Sequence, residues 1–215
     1  MVDNEEVQQD SKDTKTVIWN LPNILTFSRM LFIPIFVALF YINFPGHFLV
    51  CWGLFAVACI TDLFDGAIAR KRNLVTNLGK FLDPIADKVL VLTAFILFLT
   101  MPEIFCANLG NWAMLLAVCG VVIIVAREMI VSGFRMVAAS SGEVIAADKI
   151  GKYKTFAQDL SVGILLFAEG WRQFDDSTFA MVVNIIGVSF FILSVILTVI
   201  SGVNYIAKNI HVLKK

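Results

Sequence analysis

Long apolar segments are the feature that most constrains how this sequence can fold. A helix needs about 20 apolar residues to cross a bilayer, and the candidates are residues 26–42, 47–70, 84–100, 112–138, 155–169 and 178–206. The fifth is short unless it also includes residues 150–154. Hydrophobic residues make up 59% of the chain and charged residues 16%, which excludes a soluble protein with an ordinary core. The sequence therefore predicts an all-α integral membrane protein with six transmembrane helices.

The N-terminal residues differ in character from the rest of the chain. Residues 1–19 are polar and acidic, whereas a cleaved signal peptide has a basic start and an apolar middle, so we expect a poorly ordered polar tail. Residues 20–215 then form one membrane domain. Its first part, residues 20–29, is amphipathic and follows Trp19, which predicts a helix on the membrane surface. The alternative is that these residues simply begin the first span.

The basic residues predict the orientation of the chain. With six spans, the N-terminus, residues 71–82, residues 139–154 and the C-terminus share one side of the membrane. Each of the 17 Lys and Arg residues except Arg172 lies on that side or in a helix end that faces it. Because positive charge concentrates on the cytoplasmic side, we expect a multi-pass protein of the cytoplasmic (inner) membrane with this side in the cytoplasm.

Four aspartates lie where the second predicted span ends and the third begins. They belong to the pattern Asp62-x2-Asp65-Gly66-x2-Ala69-Arg70-x8-Gly79-x3-Asp83-x3-Asp87. Spacings of three and four residues put the members of each pair on one helix face. Clustered carboxylates at a membrane boundary are costly unless cations hold them, and divalent cations prefer oxygen ligands and often bind phosphates too. The alternative, a set of helix caps and surface carboxylates, is disfavoured by the small residues between them.

Histidine and cysteine offer little for catalysis or metal binding. His47 and His211 are the only histidines and lie at opposite ends of the chain, which disfavours a histidine-based metal site or catalytic triad. The same shortage excludes phosphatidyl transfer through a histidine nucleophile. The four cysteines form no CxxC motif and stand in apolar surroundings, so we expect them to act as small apolar core residues.

The aspartate pattern matches, at all eight positions, the signature of the CDP-alcohol phosphatidyltransferases, a family of membrane enzymes of phospholipid synthesis. Flanking segments resemble the bacterial phosphatidylglycerophosphate synthases of that family. These segments are residues 20–26 with Arg29 and Pro34, Arg127 and Glu128 with Arg135, and residues 151–155 with Gln158. The resemblance extends from residue 20 to the C-terminus.

The resemblance implies an enzyme that transfers a phosphatidyl group from CDP-diacylglycerol to sn-glycerol 3-phosphate and releases CMP. It implies two Mg²⁺ or Mn²⁺ ions per active site, held by Asp62, Asp65, Asp83 and Asp87, with Asp87 also serving as general base. It further implies a homodimer in the lipid bilayer, with no nucleic acid as a partner. The residues expected to contact CDP-diacylglycerol are Asn23, Thr26, Arg29, Gly66, Ala69, Arg70, Thr76 and Gly79.

Several of these residues allow a second interpretation. Gly66 and Ala69 lack bulk, so a nucleoside could lie against the helix, but small residues also allow close helix packing. Gly79 fits either the nucleotide pocket or a tight loop. Arg70 can make a forked contact to phosphate oxygens. Asn23 could instead cap a helix, and Thr26 and Thr76 could be polar loop residues.

A separate basic cluster predicts the acceptor site. Arg127 and Arg135 lie eight residues apart, on nearly one helix face, and Lys152 follows after a predicted loop. We interpret these three as a pocket for the phosphate of sn-glycerol 3-phosphate. Basic residues at a membrane surface can also bind anionic headgroups or orient the chain. Pairing of Arg127 with Glu128 is disfavoured, because neighbours on a helix point in different directions.

Other functions remain open at the level of sequence. The same chemistry could use inositol phosphate, serine or phosphatidylglycerol as acceptor. An ion-coupled transporter would carry intramembrane carboxylates too, but its charges should extend through the membrane depth, and here they crowd one boundary. The sequence also shows no paired broken helices and no inverted repeat, which are typical of transporters.

Overall fold

The computed structural model describes residues 21–72, 77–106, 111–140, 149–175 and 178–209. For residues 21–27, 29, 62–72, 77–87, 106, 111, 139–140 and 149 it describes the backbone only. All regular structure in these ranges is helical, which confirms the all-α fold class for them. The helices are α1 (Leu21–Tyr41), α2 (His47–Arg72), α3 (Asn77–Leu99), α4 (Pro102–Cys106), α5 (Asn111–Ser140), α6 (Lys149–Arg172) and α7 (Thr178–Asn209).

Each predicted apolar segment corresponds to one long helix, and each helix extends beyond its segment at one end or both. The fifth segment does include residues 150–154, because α6 begins at Lys149. Residues 21–29 form the first turns of α1, which runs without a break to Tyr41, so their place on a membrane surface stays a prediction. The short helix α4 was not predicted; it begins at Pro102, whose fixed φ suits the first position of a helix.

Helix α7 has the side-chain pattern of a helix surrounded by lipid. Its outward surface carries large apolar side chains such as Ile185, Ile192 and Val203, which are 49%, 54% and 65% exposed. Its buried face consists mainly of small or polar residues: Ala180, Asn184, Gly187, Phe191, Ser194, Thr198, Ser201, Gly202 and Tyr205. A helix on the surface of a soluble protein shows the reverse arrangement, whereas small and polar residues are typical of helix interfaces in membranes. This protein is a membrane protein.

Within the part of the chain that the structure describes, two helices are long and apolar enough by themselves to cross a bilayer. They comprise residues 112–138 of α5 and the whole of α7, Thr178–Asn209. The apolar stretches found in the described parts of α1, α2 and α3 are shorter. Six complete crossings therefore stay a prediction.

Aromatic rings fill the centre of the bundle. Phe40 of α1 meets Phe48 of α2 edge-on, with ring centroids 5.2 Å apart. Phe95 of α3 and Phe191 of α7 are also 5.2 Å apart. Such pairs add about 0.5–1.5 kcal/mol beyond the burial of their area. The described residues packed around these rings are apolar.

Helices α6 and α7 form the most extensive helix pair among the described residues. Their close approach depends on Gly187, where an added Cβ would lie 2.8 Å from Cδ2 of the fully buried Leu165. The hydroxyl of Ser161 donates a hydrogen bond of 3.0 Å to the Gly187 carbonyl. The two helices are antiparallel neighbours, so the C-terminal half of α7 lies beside the N-terminal half of α6.

One end of the bundle is held by a polar group around Glu169 of α6. Arg172 Nη1 donates to Glu169 Oε1 at 2.8 Å, and Asn184 lies within 3.4 Å of the same oxygen. The backbone N–H of Gly46 donates to the Gln173 side chain at 3.0 Å. Gly46 has a φ of 83°, a conformation that glycine adopts without strain. This group links the α1–α2 turn to the end of α6, and it lies at the end opposite to the candidate site.

Candidate active site

The backbone places the four aspartates at neighbouring helix ends. Asp62 and Asp65 lie in the C-terminal part of α2, and Asp83 and Asp87 lie in the N-terminal half of α3. The chain is helical through all four, so the members of each pair do share a helix face. Their side chains lie outside the described residues, and their role as metal ligands stays a prediction. Four carboxylates are hard oxygen donors, and this donor set fits a divalent cation.

The residues expected to contact CDP-diacylglycerol are described by backbone alone or lie outside the description. Gly66, Ala69 and Arg70 belong to α2. Gly79 belongs to the first turn of α3, so the tight-loop alternative for Gly79 is wrong. Thr26 is likewise helical rather than part of a loop; it lies in α1 with Asn23 and Arg29. Thr76 lies outside the described residues.

A buried carboxylate, Glu128 of α5, is the centre of a charge cluster at this end of the bundle. Lys88 Nζ of α3 lies 2.9 Å from Glu128 Oε2, in an ion pair. Arg127 Nη1 donates to Glu128 Oε1 at 3.1 Å, and the ammonium of Lys154, from α6, contacts the same oxygen. Glu128 is only 5% exposed. A carboxylate buried to this extent is stable only when it is paired, and here cations from three helices pair with it.

Small residues of α7 accommodate the guanidinium of Arg127. Arg127 Nη2 donates a hydrogen bond of 2.7 Å to the hydroxyl of Ser201. The next residue, Gly202, leaves space for the Arg127 side chain, because an added Cβ would lie 3.1 Å from Arg127 Cγ. On the other side of the cluster, Lys88 Nζ donates to Ser132 Oγ at 3.3 Å. The cluster therefore joins α3, α5, α6 and α7.

Arg135 extends the positive charge towards the end of the bundle. It follows Arg127 by two turns of α5, and its guanidinium carbon lies 5.7 Å from the centre of the Tyr205 ring. Arg127 and Arg135 both lie close enough to Lys88 for electrostatic repulsion. Asp159 lies close enough to Lys154 for electrostatic attraction. Among the side chains that the structure describes here, the cations are Lys88, Arg127, Arg135 and Lys154, and the carboxylates are Glu128 and Asp159. Positive charge is in excess among these described groups, which suits an anionic ligand.

The structure corrects the sequence reasoning about these basic residues in one respect and extends it in another. Arg127 does pair with Glu128, although adjacent residues were expected to point apart, because the long Arg127 side chain lets Nη1 reach Glu128 Oε1 at 3.1 Å. Lys152 is exposed on α6, whereas Lys154 is 2% exposed within the cluster. Sequence reasoning missed Lys88, Lys154 and Glu128 as members of the site. One signal for Lys88 is its position directly after Asp87, at the start of an apolar run.

A cavity of about 200 Å³ adjoins the cluster, between α3, α5 and α6. Its polar wall consists of Lys88, Glu128, Lys154, Thr155 and Gln158, and Val91 and Leu92 supply an apolar wall. Lys88 directly follows Asp87, and consecutive Cα atoms are about 3.8 Å apart. Lys88, which lines the cavity, is therefore the direct neighbour in the chain of Asp87, the aspartate that the family resemblance assigns as general base.

Comparisons with known proteins show the family of this chain. The family model for CDP-alcohol phosphatidyltransferase matches residues 19–201. The chain is 37% identical over 209 residues to the CDP-diacylglycerol–glycerol-3-phosphate 3-phosphatidyltransferase of Bacillus subtilis (strain 168), covering 92% of this chain and 98% of the relative. It is 36% identical over 189 residues to the enzyme of the same name from Rickettsia bellii (strain RML369-C), covering 86% and 93%.

The helical membrane fold and the aspartate signature at the α2–α3 end define a membrane-bound transferase. The chain belongs to the CDP-alcohol phosphatidyltransferase family.

Proposed function

We propose that this protein transfers the phosphatidyl group of CDP-diacylglycerol to sn-glycerol 3-phosphate, forming phosphatidylglycerophosphate and CMP. The relatives with which it shares 36–37% identity are named for this reaction. The observation that carries the proposal is the buried group of cations on α3, α5 and α6, immediately beside the aspartate helices. Among the alternative acceptors, serine has no phosphate that would require these cations.

The four aspartates are the proposed metal ligands. Members of the family generally depend on a divalent metal, and Asp62, Asp65, Asp83 and Asp87 would hold two Mg²⁺ or Mn²⁺ ions. When bound, these ions would neutralise the charge of the diphosphate during displacement. Arg70, one residue after Ala69 on α2, would add a forked contact to phosphate oxygens. The CDP-lipid would otherwise lie against Asn23, Thr26, Arg29, Gly66, Ala69, Thr76 and Gly79.

Asp87 is the proposed general base. It would take the proton of the acceptor hydroxyl, whose oxygen then bonds to the β-phosphorus of CDP-diacylglycerol. The bond between that phosphorus and the bridging oxygen breaks, and CMP leaves with the bridging oxygen and its electron pair. Transfer of this kind depends chiefly on positioning and charge stabilisation. The position of Lys88, next to Asp87 and on the cavity wall, suits an acceptor held in the cavity with its hydroxyl towards Asp87.

The acceptor phosphate would bind to the basic cluster. Arg127 and Arg135 are its proposed ligands from α5. Lys152 is the proposed ligand from the exposed surface of α6; the residue before it, Gly151, lies beside the Arg127 guanidinium, because an added Cβ there would be 3.8 Å from Nη2. The buried Lys154 and the partly buried Lys88 add positive charge to the cluster. Glu128 holds the cations together despite their mutual repulsion.

The proposal also covers the membrane in which the enzyme lies, its orientation there and its oligomeric state. Six helices would cross the cytoplasmic (inner) membrane, with the aspartates and the basic cluster facing the cytoplasm, where most Lys and Arg residues of the chain gather. Two copies would form a homodimer in the bilayer. The polar residues 1–19 would form a tail outside the membrane domain of residues 20–215.

An acceptor panel tests the proposed function. Purified protein in detergent with Mg²⁺ would receive labelled CDP-diacylglycerol and, separately, sn-glycerol 3-phosphate, inositol phosphate, serine or phosphatidylglycerol. Lipid product and CMP are measured together. We expect sn-glycerol 3-phosphate to give the highest turnover. Higher turnover with another acceptor would leave the family unchanged and overturn the proposed substrate.

A further inference from the structure

Gln158 is a buried residue whose amide nitrogen has no hydrogen-bond partner among the described residues. It lies on α6, one helical turn after Lys154, and is 5% exposed. Its Nε2 atom is buried and makes no hydrogen bond to any residue that the structure describes. Its side chain lines the cavity of about 200 Å³ beside the basic cluster. A buried donor without a partner is unfavourable, so an amide in this position is suited to donate to a ligand in the cavity.

The cavity has two chemically different ends along α6. Lys154 presents positive charge, while Thr155 and Gln158 present uncharged hydrogen-bonding groups. Lys154 and Gln158 are separated by four residues, and one turn of helix rises about 5.4 Å. Arg127 and Lys154 contact the same oxygen of Glu128, so Arg127 lies next to the Lys154 end of the cavity. A small polyol phosphate can therefore place its phosphate at this end, beside Arg127, and a hydroxyl against the amide of Gln158 at the same time.

We propose that Gln158 is a specificity-determining residue, which donates its Nε2–H to the secondary hydroxyl of the polyol phosphate acceptor. In sn-glycerol 3-phosphate the primary hydroxyl reacts and the secondary hydroxyl is retained, so this contact recognises the part of the acceptor that does not change. The proposal rests on the proposed function and deepens it. A site that hydrogen-bonds a hydroxyl rejects an analogue without that hydroxyl, because its own polar group is then left unpaired.

The test compares two acceptors that differ only in the secondary hydroxyl. They are sn-glycerol 3-phosphate and 3-hydroxypropyl phosphate, which keeps the primary hydroxyl and the phosphate. The kcat/KM of each is measured at saturating CDP-diacylglycerol for wild type, Gln158→Met and Gln158→Leu. Gln173→Met is the matched control, because Gln173 lies at the far end of the bundle and bonds to the Gly46 backbone.

We expect wild type to prefer sn-glycerol 3-phosphate by about ten- to hundredfold, the scale of one buried hydrogen bond. Gln158→Met and Gln158→Leu should abolish the preference by lowering kcat/KM for sn-glycerol 3-phosphate alone, whereas Gln173→Met should keep it. Because both acceptors are measured in the same preparation, a smaller folded fraction cancels in the ratio.

Three outcomes would overturn the inference, and they are distinguishable. Equal use of the two acceptors by wild type would show that the secondary hydroxyl is not recognised. An unchanged preference in the Gln158 variants, with kcat/KM lowered equally for both acceptors, would assign Gln158 to packing. If wild type does not use sn-glycerol 3-phosphate but uses another acceptor from the panel, the proposed function itself fails and this inference fails with it.

Discussion

Lys154 of α6 and Glu128 of α5 contact each other in the interior of the bundle, where their side chains are 3% and 6% exposed. The same carboxylate pairs with Lys88 and Arg127, so one negative charge organises cations from three helices. Without Glu128, these cations would repel one another in surroundings that screen charge poorly. Glu128 is therefore both a structural residue and the group that positions Arg127, one of the proposed phosphate ligands.

Glu128→Gln should destabilise the protein strongly. The variant keeps the shape of the side chain but leaves buried cations without their shared counter-charge, and breaking a buried ion pair in this way costs about 3–5 kcal/mol. Thermal unfolding in detergent measures the effect. Glu103→Gln, on the exposed surface of α4, is the control and should change stability by no more than about 0.5 kcal/mol. Equal stability of Glu128→Gln and wild type would show that the cluster does not depend on this charge.

Arg127→Ala should impair use of the acceptor far more than use of the lipid donor. A hydrogen bond to a charged group contributes about 1.5–3 kcal/mol, so the KM for sn-glycerol 3-phosphate should rise about ten- to hundredfold. Arg127→Lys should recover only part of this, because the forked geometry is lost. Steady-state kinetics with each substrate varied in turn provide the measurement, with Lys208→Ala, at an exposed position near the end of α7, as control. A similar loss for both substrates would make Arg127 a structural residue or a ligand of the CDP-lipid.

Asp83→Asn should abolish transfer and leave the protein folded. The substitution removes one proposed metal ligand and changes little volume, so product formation should disappear while the elution profile in detergent stays that of wild type. Activity assays across a range of Mg²⁺ concentrations measure the effect. Near-normal turnover at saturating Mg²⁺ would contradict a role for Asp83 in a two-metal site.

Asp87→Asn should separate proton removal from metal binding. If Asp87 acts mainly as the general base, turnover should fall far more than the affinity for CDP-diacylglycerol. Single-turnover rates and direct binding of the CDP-lipid give the two quantities. If binding of the CDP-lipid and turnover fell together, Asp87 would be a metal ligand only and not the general base.

Gly187→Ala should weaken the packing of α6 against α7. Its Cβ would lie 2.8 Å from both Cγ and Cδ2 of the fully buried Leu165, and overpacking of this kind costs about 1–3 kcal/mol. Gly163→Ala on α6 is the matched control, since its Cβ would meet no atom within 4 Å. In a helix interior that control should be neutral or stabilising by up to about 1 kcal/mol. Unfolding measurements that rank the two variants in the opposite order would contradict this packing.

The sequence by itself determined the helices and the family. Apolar runs of membrane length predict helices whatever their neighbours are, and α5 and α7 follow their predicted segments for this reason. The aspartate signature is also local: its spacing from Asp62 to Asp87 depends on two helices that adjoin in the chain, so the family is visible without any tertiary contact. The short helix α4 was missed because five residues carry no periodic pattern.

Only the tertiary structure decided which polar residues meet. Glu128 contacts Lys88 and Lys154, which are 40 and 26 residues away in the chain, and no local spacing predicts such contacts. Sequence reasoning chose Lys152 over Lys154, but α6 turns Lys152 outward and Lys154 inward. Gln158 likewise became a candidate ligand-binding residue only because the tertiary structure places it on the wall of a cavity. The physical reason is that burial and pairing of charge depend on the packing of whole helices, whereas helix formation in a membrane depends mainly on the composition of each segment.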